Sequence, residues 1–296
     1  PVHPQDVSHS PRPRGNLDRR VMRFEHGGMV DMRPKVALLG IPFDEQSSHE
    51  RGSAKAPSFI RDAWHSRGSN LYSEDLTLVD ESLVHDAGDV VLAHGEDMLS
   101  AVEGRLDALL AEGYAPLCLG GDHSVTYPVV RSVSRVHGKL DILHFDAHPD
   151  LYPDYEGNRL SHACPFARIL EDGLAGRLVQ VGIRSMTPPQ REQADRYGVE
   201  VVDMRSMREG PRLEFSGPVY ISFDVDGLDP AFAPGVSHRQ PGGLSTRQAL
   251  EVIQTFRGRL VGADIVEFNP LLDVPGMTDA VCAKLLKEIA ARMAHR

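Results

Sequence analysis

Asp146, His148 and Asp150 follow one another at two-residue intervals at the end of the stretch Leu143-His144-Phe145-Asp146-Ala147-His148-Pro149-Asp150. Carboxylates and imidazoles are the side chains that hold divalent metals. In an extended chain, residues two apart project the same way. The stretch begins as an apolar run, which predicts a buried strand with three ligands at its carboxyl end. Ligands in open α/β sheets bind at that end. Two other strand-like runs close on similar clusters. Leu117-Cys118-Leu119 leads into Gly120-Gly121-Asp122-His123-Ser124, and Val219 to Phe223 leads into Asp224-Val225-Asp226-Gly227-Leu228-Asp229-Pro230. A third, Ala263 to Val266, leads into Glu267-Phe268-Asn269-Pro270.

In a parallel sheet these ends lie along one edge, so His123, Asp146, His148, Asp150, Asp224 and Asp226 can meet. Zinc sites favour Cys and His and take three or four ligands. A set dominated by carboxylate, with two His, better suits a pair of harder ions such as manganese. Two ions roughly 3.5–4 Å apart can lower the pKa of a shared water. Asp122, Asp229 and Asp264 are left to orient ligands or loops. Each motif alone reads as a loop or a capping residue; it is their shared position that argues for a site. His85, His94, His137 and His144 lack such context and read as surface or packing residues.

The elements that must position these groups alternate along the chain. Strands are predicted at Val36–Ile41, His85–Val91, Ala115–Leu119, Leu140–Phe145, Leu178–Ile183, Val199–Val202, Val219–Phe223 and Leu260–Val266. Helices are predicted at Ala56–Ser66, Asp97–Glu112, Ser124–His137, Cys164–Leu170, Gln190–Tyr197, Thr246–Phe256 and Thr278–Met293, from their 3.6-residue apolar spacing and caps. The Val/Ile/Leu-rich strands require cover on both faces, hence an α/β fold with a mostly parallel sheet of about eight strands between helix layers. Residues 1–34 carry Pro1, Pro4, Pro11 and Pro13 without periodicity and read as an extended arm. Residues 35–296 read as a single catalytic domain.

The 296-residue chain is 41% apolar, with a formal charge of −10. That balance disfavours nucleic acid or anionic membrane as partner and suits a small cationic substrate. No run of about 18 apolar residues exists to span a membrane. Cys118, Cys164 and Cys282 form no zinc pair or CxxC. With no apolar signal segment, and with Asp6, Asp18 and Glu25 among the N-terminal arginines, the expected location is cytoplasmic. No GxGxxG or Walker A sequence follows the first strand.

The three clusters around His123, Asp146 and Asp224 resemble the signatures of the ureohydrolase family of arginases, agmatinases and related guanidino hydrolases. The resemblance covers roughly residues 35–294. Ser161-His162-Ala163-Cys164-Pro165-Phe166-Ala167-Arg168-Ile169, Val236-Ser237-His238 and Gly276-Met277-Thr278 look closest to the plant-type arginase branch. So does Gly262 to Pro270. The resemblance implies a three-layer α/β/α sandwich and a homotrimer or homohexamer. It implies two Mn²⁺ ions, one held by His123, Asp146, Asp150 and Asp224, the other by Asp146, His148, Asp224 and Asp226. It further implies that Glu267 grips the guanidinium and that His162 is the proton shuttle, with Asp150 also among the catalytic groups. Asn158 and His162 would contact the substrate tail. Ile183-Arg184-Ser185 stands where animal arginases carry an aspartate for the α-amino group, and His238 replaces a small residue of many agmatinases. The implied activity is hydrolysis of L-arginine to L-ornithine and urea. The alternative is agmatine to putrescine and urea, or a guanidino acid as substrate.

Overall fold

The computed structural model describes residues 24–25, 28–29, 36–92, 97–207 and 210–295. The chain divides into two compact units, Pro1–Arg33 and Pro34–Arg296. In the first, β1 (Phe24–Glu25) pairs antiparallel with β2 (Gly28–Met29). The remainder of the expected arm over 1–34 lies outside the described residues.

The second unit is built on an eight-stranded sheet. Its strands are β3 (Val36–Gly40), β4 (Val84–Asp89), β5 (Ala115–Leu119), β6 (Leu140–Phe145), β7 (Ala175–Ile183), β8 (Glu200–Asp203), β9 (Glu214–Asp224) and β10 (Arg257–Val266). They lie in the order β4-β3-β5-β10-β9-β6-β7-β8, and every pairing is parallel. The strands predicted from apolar runs are those found. β7, β9 and β10 start earlier than expected, because Ala175–Arg177, Glu214–Pro218 and Arg257–Arg259 continue the pairing through polar and glycine positions.

Side chains alternate between two cores. From β3, β5 and β6, Val36, Leu38, Leu117, Leu119, Leu143 and Phe145 face one layer with Ile60 and Trp64, Ala249 and Ile253, and Leu285 and Ile289. These six residues belong to α1 (Ala56–Trp64), α6 (Thr246–Thr255) and α7 (Thr278–Ala294). Ala37, Leu39, Cys118, Leu140 and Ile142 face the other layer, with residues of α2 (Met98–Ala111), α3 (Thr126–His137), α4 (Pro165–Glu171) and α5 (Pro188–Tyr197). Both faces are therefore covered, as a parallel sheet requires. Helix starts follow their capping residues: Asp97 accepts the Ser100 N–H, and Ser245 with Gln248 forms a capping box. Among the described residues no helix is long and apolar enough to cross a membrane.

Close packing at the strand ends explains two glycines of the motifs. A Cβ on Gly121 would stand 1.8 Å from the Phe43 carbonyl oxygen, and one on Gly227 would stand 2.8 Å from the Asp146 nitrogen. Any side chain at either position would push apart the loops that carry the candidate ligands.

Candidate metal centre

The motif-bearing strands are neighbours. β5, β10, β9 and β6 run side by side in the middle of the sheet. Their carboxyl ends deliver, in that order, His123, Glu267, the pair Asp224 and Asp226, and the series Asp146, His148 and Asp150. The series does not lie on an extended strand, since β6 stops at Phe145 and Asp150 adopts φ 52°. Convergence comes from a bent loop, which corrects the alternation argument. Glu267 is likewise in the left-handed region at φ 64°. Strained backbone at non-glycine residues concentrates where side-chain aim is decided by function.

His123 Nδ1 stands 3.0 Å from Asp150 Oδ2, 3.1 Å from Asp224 Oδ2 and 3.3 Å from Asp146 Oδ2. Yet Nδ1 is buried without a hydrogen-bond partner, so none of the three oxygens is aligned with it. A lone pair and three carboxylates aimed at a common point fit a cation. The other oxygen of Asp146 faces a second group: Oδ1 is 3.4 Å from His148 Nδ1, which is 3.2 Å from Asp226 Oδ2. Asp146 thus divides its two oxygens between the clusters. Asp224 gives its second oxygen to the Asp226 N–H at 2.7 Å.

Charge crowding describes the same demand for cations. Burial, then repulsion from Asp226 and Asp146, raises the Asp224 carboxyl well above its usual range. Burial opposes a charge on His148, but Asp226 and Asp146 push it up to about 12. Burial opposes ionisation of Asp146 as well, and the neighbouring imidazoles of His123 and His144 outweigh it and hold Asp146 well below the ordinary value.

His144, expected at the surface or in packing only, is fully buried and bonded to this group. Its Nε2 lies 2.8 Å from Asp146 Oδ2, while Gln180 Nε2 donates to its Nδ1 at 3.1 Å. The tautomer is therefore Nε2–H, and His144 orients Asp146 as a donor. On the other side His123 Nε2 meets Ser222 Oγ at 3.0 Å, and Ser222 donates to Asp264 at 2.7 Å. Tyr220 and Thr126 also donate to Asp264. That chain fixes the proton on Nε2 and turns Nδ1 toward the carboxylates. Asp229 folds its own loop by accepting the N–H groups of Ala231, Gly242 and Gly243. Arg184 donates to the carbonyls of Gly182, Asp226, Gly227, Leu228 and Gln240, tying the Asp226 turn to β7.

Glu267 Oε1 accepts the His123 N–H at 2.8 Å and pairs with His162 Nδ1 at 2.8 Å. Burial disfavours its charge, but His162 outweighs that and lowers its pKa. On the far side of His162, the Ser48 N–H donates to Nε2 at 3.1 Å and Ser48 Oγ lies at 2.8 Å. Two influences conflict here. Burial lowers the pKa of His162, yet Glu267, Asp150 and Asp122 bring it up to about 9. The Ser48 N–H needs a lone pair on Nε2, so the arrangement described is the neutral ring with its proton on Nδ1. A proton entering at Nε2 displaces only that one backbone contact. Asp122 accepts the Gln46 N–H at 2.9 Å and both the N–H and the hydroxyl of Ser124. Burial and the Glu267 charge push Asp122 up to about 7.

A cavity of about 170 Å³ opens over these groups, lined by His148, Asp150, His162, Asp224, Asp226 and Glu267 on its floor. Ser48, Tyr152, Tyr155, Ser185, Thr187 and His238 line it too. Asn158 is not among its lining residues; it is exposed and donates to Gln46 Oε1 at 2.6 Å. Sequence reasoning passed over Ser48, His144 and Gln180. For His144 the signal existed, since it sits two residues before Asp146.

A profile described as "Arginase family" matches residues 34–291. The chain is 48% identical over 277 residues to "Arginase, mitochondrial" of Medicago truncatula, a match spanning 87% of this chain and 81% of that one. It is 44% identical over 301 residues to "Arginase 1, mitochondrial" of Arabidopsis thaliana, spanning 95% and 86%. Relatives named agmatinase are more distant. Among solved structures, "Arginase from Medicago truncatula" superposes with a TM-score of 0.85 at 45% identity, covering 89% of each chain. The names of most of the arginase relatives place those proteins in mitochondria, or in chloroplasts and mitochondria, and this overturns the cytoplasmic expectation. The expectation took the lack of an apolar signal segment, which bears on secretion and not on import, together with Asp6, Asp18 and Glu25 among the N-terminal arginines as evidence against a transit segment, and three scattered acids are a weak argument against one.

Proposed function

Because the chain belongs to the arginase family, and is an arginase-type hydrolase of linear amidines, we propose that it cleaves L-arginine to L-ornithine and urea at a pair of manganese ions. The observation that carries the metal reading is the convergence of His123, Asp146, Asp150 and Asp224 beside Asp146, His148 and Asp226 at the ends of β5, β6 and β9 in the middle of the sheet. Asp146 and Asp224 would be shared between the ions. When bound, the ions supply Lewis-acid activation of a water near neutral pH. Residues 35–296 would form the catalytic domain, assembled as a trimer or hexamer.

The chain's own side chains do the rest. Glu267 presents a buried carboxylate to the guanidinium, and a charge-assisted pair in a water-poor site fixes its plane. His162 moves the proton: its Nδ1–H is held by Glu267, and Nε2 can take up a proton and return it to the departing amine. The neutral rim of Tyr152, Tyr155, Ser185 and Thr187 would receive the substrate tail. Asn158 can join from its loop once its bond to Gln46 opens. Agmatine is the second reading, since among the described residues no carboxylate or cationic side chain lies on that rim to mark an α-amino acid site.

A urea-release assay over arginine, agmatine and guanidinobutyrate decides the substrate. Arginine should be turned over fastest; urea from none of the three would overturn the reading. In the same assay His162→Ala should lose about 10²-fold in kcat while keeping its metal content. Unchanged kcat would remove His162 from proton transfer.

A further inference from the structure

Among the described residues three imidazoles line the cavity: His148, His162 and His238. His148 belongs to the candidate metal cage. Both ring nitrogens of His162 are engaged, by Glu267 and by Ser48. His238 differs, because among the described residues its half-buried ring makes ring contacts and no hydrogen bond. Its centroid lies 5.4 Å from His162, 5.5 Å from His49 and 5.9 Å from His148.

The ring is not needed to hold its own loop. Ser237 Oγ donates to the Glu50 carbonyl at 2.7 Å and receives Asn269 Nδ2 at 3.0 Å. Arg239 donates to the Pro234 and Leu272 carbonyls, and Arg184 to the Gln240 carbonyl. Val236 bridges to Phe268, the residue after Glu267. The loop is pinned on both sides of residue 238, and the His238 ring lines the cavity.

A guanidinium carries five N–H donors. Glu267 Oε1 already receives two N–H groups, so mainly Oε2 remains for the substrate. Buried donors require acceptors. We propose that His238 completes the guanidinium subsite, one ring nitrogen accepting an N–H of the substrate. This rests on the guanidino-hydrolase reading above. Its ring contacts place His238 at the guanidinium end, beside His148 and beside His162, the partner of Glu267. An imidazolium would repel the substrate, so a bound guanidinium selects the neutral ring with its lone pair.

The test uses manganese-loaded protein and guanidinium chloride, a probe with no tail, with binding followed by calorimetry and urea release followed in parallel. His238→Ala should weaken guanidinium binding about tenfold and raise KM for arginine and agmatine alike by a similar factor, with metal content unchanged. His238→Asn, which retains an acceptor, should recover most of the loss. Unchanged guanidinium binding in His238→Ala, or a rise in KM for arginine alone, would overturn the subsite. If the wild type releases no urea yet its guanidinium binding still weakens in His238→Ala, the subsite stands and the reaction assignment fails.

Discussion

Asp224→Asn should lower urea release from arginine by at least about 10³-fold, about 4 kcal/mol of transition-state stabilisation, and yet raise the melting temperature of the metal-free protein. The two effects have one cause. Asp224 Oδ2 faces His123 Nδ1 at 3.1 Å and its Oδ1 holds the Asp226 N–H, so it lies between two of the candidate ligands. Burial and the charges of Asp226 and Asp146 raise its pKa well above the usual carboxylate range. A carboxyl whose folded-state pKa exceeds its unfolded value costs stability as pH rises above the unfolded value, because the folded state then binds the extra proton. At neutral pH the amide removes that cost, and a gain of about 2–4 °C is expected in chelator. Adding manganese should then reverse the order, since ligand binding stabilises only the protein that can bind it. Melting curves of both proteins, with chelator and with manganese, check this. A metal-free variant that melts below the wild type would remove the electrostatic explanation.

Glu267→Gln should reduce kcat/KM by about 10²–10³-fold without changing metal content. The geometry makes this isosteric change severe. Oε1 accepts N–H groups from His123 and His162, so the amide must turn its oxygen there. Its NH₂ is then presented to the guanidinium, donor against donor. The lowered pKa of Glu267, held by His162 against burial, keeps the native carboxylate charged over the working range. Steady-state kinetics with arginine, alongside elemental analysis, separate this loss from loss of metal. Activity within threefold of wild type would mean that another group grips the guanidinium.

Much of this arrangement was readable from residue order. Apolar runs such as Leu117–Leu119 and Val219–Phe223 end abruptly in Asp, His and Gly, and a parallel sheet aligns such ends on one edge. What order alone does not give is which ends are neighbours. The sequence of strands β5-β10-β9-β6 joins segments more than a hundred residues apart, such as His123 and Glu267. His144 was misread because its neighbours are apolar; its pairing with Gln180 depends on β6 lying beside β7. Ser48 and Gln46 lie in a loop with no motif, tied to Asp122 and to His162 by backbone N–H and C=O groups that sequence does not reveal. Asn158, chosen from its loop, is turned aside by Gln46. The loop at Asp146–Asp150 brings its ligands together through a left-handed Asp150, where a strand was assumed.

The proposed pair of manganese ions is tested most directly by counting them. The purified chain, loaded with manganese and freed of excess, should contain about two ions per chain by elemental analysis, with urea release from arginine rising as the second ion enters. Full turnover with one ion per chain, or with none, would contradict it.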